Sequence, residues 1–95
     1  MKIELVNDSA NLKDDVLKEV YDLVVANTMR FKSCLSIEGG LVFILKDPNG
    51  LFTAKKDDNA YNFKLESEDL NFEYLVHEDK VEIILEKFRK RQVFG

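Results

Sequence analysis

Hydrophobic and polar positions change their spacing several times along this chain, and each change marks an element. Residues 2–6, KIELV, alternate as a short strand does. The spacing then lengthens: Val16, Val20, Leu23 and Val24 recur at helical intervals, and Leu17 and Tyr21 widen the stripe. Asp8, Ser9 and Asn11 are candidate N-caps, and Asp14 and Asp15 place negative charge in the first turn, where the helix dipole favours it. Arg30 and Lys32 place positive charge near the far end. Together these features predict a helix over 11–29.

From residue 33 the period falls back to about two. Gly39-Gly40 separates SCLSIE from LVFILK, Pro48-Asn49-Gly50 separates LVFILK from LFTAKK, and Asp57-Asp58-Asn59 separates LFTAKK from AYNFKLE. Residues of these types reach the backbone angles that tight turns need, so the stretch reads as an antiparallel meander. In 60–66, Tyr61, Phe63 and Leu65 point one way and Asn62, Lys64 and Glu66 the other; after a turn at Glu68-Asp69, Leu70, Phe72, Tyr74 and Val76 alternate again. LVFILK differs from the rest. Its five consecutive apolar residues predict cover on both faces of a central strand.

Two readings stand for residues 79–91. Asp79 and Glu82 fit a capping box, followed by a helical stripe of Val81, Ile84, Leu85 and Phe88, with Glu86 and Lys90 as an i,i+4 pair. Alternatively, HEDK is a hairpin turn and VEIIL a further strand. The abundance of Glu, Lys and Arg favours the helix. The fold expected is α+β in one domain, 1–95. It is an antiparallel meander of about five strands, with a helix after the first strand and a C-terminal helix packed on one face. Such a sheet needs more cover than two helices supply. Its other face is either polar and wet or covered by a partner.

Composition narrows the function classes. An apolar fraction of 45% fits a globular protein. The only cysteine, Cys34, rules out an intramolecular disulfide and reads as a small buried hydrophobe, which fits a reducing, cytoplasmic setting. The N-terminal residues carry no apolar stretch of the signal-peptide kind, and no run reaches the ~18 apolar residues of a membrane span. All 18 acidic residues lie within 1–86, together with 10 of the 14 basic ones. Residues 87–95 form a basic C-terminal tail with Lys87, Arg89, Lys90 and Arg91 and no acid. An acidic body disfavours direct nucleic-acid binding and favours a basic protein partner.

Catalytic chemistry finds no footing. His77, the only histidine, has Glu78 and Asp79 beside it, and neighbours in a turn point apart, so it reads as a solvated turn residue. One His and one Cys do not make a zinc site, and neither acidic turn has EF-hand spacing. Gly39-Gly40 does not open a helix and so does not cradle a phosphate. No catalytic residue, metal or cofactor is assigned. The chain is read as a non-enzymatic protein-binding module, an accessory inhibitor or adaptor acting on a protein partner, for instance a basic nucleic-acid-handling one. The residues expected to carry binding are the loop acids Asp57, Asp58, Glu66, Glu68, Asp69, Glu78 and Asp79, with Arg89, Arg91 and Phe94 of the tail. A homodimer through exposed sheet residues is a further expectation.

The run FKSCLSIEGG followed by LKDPNGLF, within residues 31–52, resembles the HPr phosphocarrier proteins, and ELVNDSANLK loosely resembles their first strand and active loop. The resemblance would place the family's phosphoryl-accepting histidine near Lys13 and its regulatory serine at Asp47. It would also place a short helix where Pro48 reads as a turn. It therefore implies an alternative: a degenerate, non-phosphorylatable relative with a regulatory role.

Overall fold

The computed structural model describes residues 3–26, 31–46 and 49–94, the side chains of Phe88 and of residues 91–94 excepted. Six strands, β1 (Glu4–Val6), β2 (Phe31–Ile37), β3 (Gly40–Leu45), β4 (Gly50–Asp57), β5 (Ala60–Ser67) and β6 (Asn71–His77), form one sheet. Each strand lies antiparallel beside its neighbours in chain order, an α+β meander with one strand more than the alternation alone counted. Helix α1 (Asp15–Ala26) follows β1, and α2 (Glu78–Phe94) follows β6.

Local chemistry sets the helix ends. The sequence predicted one helix over 11–29. The chain instead makes a short 3-10 turn at Ser9–Asn11 and begins α1 at Asp15. Asp8 caps the turn, its carboxylate accepting from the Ala10 N–H at 3.0 Å. Asp14 caps α1, accepting from the N–H groups of Val16 at 2.9 Å and Leu17 at 3.0 Å. Two caps six residues apart divide what periodicity alone joined. The far end of the predicted helix, 27–29, lies outside the described residues, as does Arg30. Residues 79–91 are helical, and α2 starts one residue earlier than the capping-box reading placed it. The His77 Nδ1, rather than the Glu82 side chain of a capping box, accepts from the Asp79 N–H at 3.2 Å.

Every fully or nearly buried sheet side chain lies on one face. Val6, Cys34 and Phe43 stand side by side across β1–β3, and the row continues through Phe52, Leu65 and Phe72. Leu17, Val20, Leu23 and Val24 of α1, and Val81 and Leu85 of α2, close over them. Phe43, 0% exposed, is the centre; Tyr21, Phe31 and Phe52 ring it at centroid distances of 6.2, 5.7 and 5.9 Å. Strict alternation would send Phe31 and Cys34 to opposite faces. The register slips between Phe31 and Ser33, and this bulge turns both toward the helices.

The turns match their punctuation. Gly39, at φ 79°, takes the left-handed angle of the β2–β3 turn, and Asp58, at φ 59°, takes it in the β4–β5 turn. Leu45 pairs with Gly50, so β3 and β4 are joined as antiparallel neighbours, while Asp47 and Pro48, where the HPr resemblance puts its regulatory serine and short helix, lie outside the described residues.

Candidate functional site

The six-stranded sheet has a second face, and among the described residues no helix covers it. Four cross-strand rows line it, the shortest of them Asp57, Ala60 and His77. The first is Leu5, Leu35, Val42, Thr53, Lys64 and Glu73. The second is Ser33, Ile44, Leu51, Glu66 and Asn71. The third is Ile37, Gly40, Lys55, Asn62 and Leu75. The face is apolar across β1–β3, apart from Ser33, and at Leu51 of β4; the rest of β4 and most of β5–β6 are polar, with Leu75 an exception. Leu5 is 65% exposed, Leu51 43% and Leu75 71%, whereas Leu35, Ile37, Val42 and Ile44 are half-buried by one another. About three strands ~4.8 Å apart, each contributing about six residues at ~3.3 Å, make an apolar patch on the order of 300 Å². Patches of that size on a folded chain are commonly interaction sites.

The residues singled out from the sequence fall into three places. The turn acids Asp57 and Asp58 stand beside Glu78 and Asp79, joined by the Glu78 N–H donating to the Asn59 carbonyl at 2.9 Å. Glu38 belongs to the same end of the sheet, because the Lys56 N–H donates to the Gly39 carbonyl at 2.7 Å. Glu66, Glu68 and Asp69 lie at the opposite end, a strand length of about 25 Å away. Glu66 is directed onto the bare face, where it pairs with Lys64 at 2.7 Å. The acidic loops are therefore two separate groups. Neither lies over the apolar patch; the acids that the strand register places on the bare face, Asp57, Glu66 and Glu73, belong to its margins.

Arg89 faces inward, to the other helix. Its guanidinium meets the Glu19 carboxylate of α1, and also Glu82 at 2.8 Å and Glu86 at 2.6 Å, pinning α2 across α1. Arg91 and Phe94 fall within α2, their side chains outside the described residues.

Two further groups have clear structural surroundings. Burial alone would raise the Asp14 carboxyl pKa, but the Leu17 amide, the Tyr61 hydroxyl, the Lys56 ammonium and the Val16 amide outweigh it and hold the pKa below its usual value of 3.8. Cys34 is 0% exposed, and burial pushes its thiol up to about 12, which removes the thiolate that reactive cysteines need. Lys13, at the position of the HPr acceptor histidine, is exposed just before α1 and brings no imidazole there.

An apolar groove of about 430 Å³ runs between the sheet and α2, lined by aromatic side chains including Phe52, Phe63, Phe72 and Tyr74, with Lys87 at its margin. Among the described residues, no three His, Cys, Asp or Glu side chains gather as a metal ion requires, and no helix is long and apolar enough to cross a membrane.

The leucines and isoleucines of the bare face are the residues that loop-based reasoning missed. Their signal was the unbroken LVFILK run, which called for cover on both sides of one strand. Fold and surface together define a class: a helix-backed antiparallel meander with one apolar face unpartnered. No family model matches this sequence, and neither a curated protein nor a solved structure matches it.

Proposed function

We propose that this chain is a non-enzymatic protein-binding module, an adaptor or inhibitor that works by occupying a protein partner through the helix-free face of its sheet. The observation that carries this reading is the exposure of Leu5 and Leu51 in one plane with Leu35, Val42 and Ile44. Water against such a surface costs free energy, and a partner that displaces it gains about 25 cal/mol for each Å² of apolar area covered. The acidic ends act at longer range, slowing acidic competitors and speeding the approach of basic ones.

The test is affinity capture with the tagged chain at about 0.05 M and about 0.5 M salt, comparing wild type with a Leu5→Lys, Leu51→Lys double variant. Binding through the bare face is retained at high salt and lost in the variant. Capture that ignores both substitutions and vanishes at high salt would overturn this reading in favour of the acidic end formed by Glu38, Asp57, Asp58, Glu78 and Asp79.

A further inference from the structure

We propose that the partner on the bare face is a second copy of this chain, the two sheets packing face to face as a sandwich with the helices outside. This rests on the protein-binding reading above and names its occupant.

Three observations favour a copy over a different partner. The first is pattern. β3 carries Leu41, Phe43 and Leu45 toward the helices and Val42 and Ile44 away from them, the composition of a strand buried on both sides. A sheet packed at about 10 Å against its own copy gives β3 that second layer.

The second is charge. The chain carries a net −4, whereas the bare face holds Lys55 and Lys64 against Asp57, Glu66 and Glu73, one acid in excess, with Asp57 at its end. A basic partner finds little attraction on the face itself, and two copies approaching across it meet little of the like charge that the chain as a whole carries.

The third is self-complementarity. A two-fold axis lying across the strands, between the row of Val42 and the row of Ile44, stacks each strand on its own counterpart. The apolar residues of β1–β3 and Leu51 then meet the same region of the second copy, and polar β5–β6 meets polar β5–β6. Val42 faces Ile44 of the second copy, Thr53 faces Leu51, and Lys64 faces Glu66, each contact occurring twice, as an isologous interface demands. About this axis the two faces overlap over about 13 Å of strand, and six strands about 4.8 Å apart then give on the order of 400 Å² in projection on each copy. That is about half of the ~800 Å² each side of a standard interface buries, the size of a weak association that depends on concentration, with an apolar centre and a charged margin.

Sedimentation of the full chain over about 0.01–1 mM tests this, since a dimer must strengthen with concentration. Wild type is expected at twice the 11.0 kDa chain mass. The Leu5→Lys, Leu51→Lys variant is expected at the single-chain mass, with an unchanged far-ultraviolet circular dichroism spectrum because both side chains are already exposed. Leu70→Lys, on an exposed leucine of the β5–β6 turn, leaves the dimer intact. Lys64→Glu weakens association by about tenfold, and adding Glu66→Lys restores it. A wild type monomeric at 1 mM concentration on the order tested would overturn the second copy. So would a dimer indifferent to Leu5→Lys and Leu51→Lys, which would then use another surface such as the unpaired edge of β6. A monomeric wild type that still captures a protein through Leu5 and Leu51 sinks the second copy alone; capture indifferent to both sinks the reading beneath it.

Discussion

At position 14 a single carboxylate serves three donors: two amides of the first turn of α1 and, at 2.9 Å, the hydroxyl of Tyr61 from β5. It thus caps a helix and ties that helix to the sheet. Asp14→Ala is expected to cost about 2 kcal/mol, at the upper end for a lost cap because the buried Tyr61 hydroxyl loses its acceptor as well. Chemical denaturation at neutral pH measures it. The charge has its own signature. The folded-state pKa is depressed, so the stabilisation is complete above the unfolded value of about 3.8 and is lost as the pH falls through the lower folded value. Stability measured from pH 5 down to about 2 should therefore fall less steeply in Asp14→Asn, which keeps a capping oxygen without the charge. Cys34 gives a second residue-scale expectation. A thiol-labelling reagent should leave it unmodified in the native protein and react at the rate of unfolding, with the denatured chain reacting at once. Rapid native labelling would contradict the burial described.

Among elements, β3 has the narrowest tolerance. Phe43 is enclosed by three aromatic rings, and Phe43→Ala is expected to cost about 3–5 kcal/mol, enough to unfold much of a domain this small. Gly40 has a different constraint: an added Cβ would lie 2.3 Å from the Ala54 carbonyl oxygen of β4, so backbone must move. Gly40→Ala should destabilise by about 1–3 kcal/mol, read as a shift in the denaturation midpoint, even though alanine suits a strand better than glycine. Helix α2 depends on Arg89 for its placement. Arg89→Ala should raise hydrogen exchange along α2 while leaving β3 protected, because the lost Glu19 contact joins α2 to α1, the lost Glu82 and Glu86 contacts lie within α2, and the sheet is untouched.

For the molecule as a whole, function turns on how two kinds of surface are distributed. The acids sit in turns at both ends of the strands, and the exposed aliphatic side chains sit on the flat face between. Raising salt should leave association through that face nearly unchanged, since apolar burial is not screened, whereas any contact through Asp57, Asp58, Glu78 and Asp79 should weaken. A salt titration of self-association by sedimentation separates the two.

Much of this was legible in the sequence, because turn chemistry and alternation are local. Gly39, Asp58 and the β3–β4 link bend where their residue types bend, and the core side of each strand follows from every second residue. Three features were not. The bulge between Phe31 and Ser33 arises from the pairing of β2 with β3, so counting along one strand assigns the wrong face. The division of the acids into two ends depends on which turns meet across the sheet. Arg89 read as part of a free basic tail until α1 and α2 were brought together, because Glu19 is 70 positions away. The sequence by itself determined the strands, their turns and the demand of LVFILK for two-sided cover, since backbone angles and side-chain alternation are properties of neighbouring residues. Only the tertiary structure decided that both helices lie on one side. Among the described residues neither helix lies over Val42 and Ile44, because where a helix packs is settled by contacts that no local pattern contains.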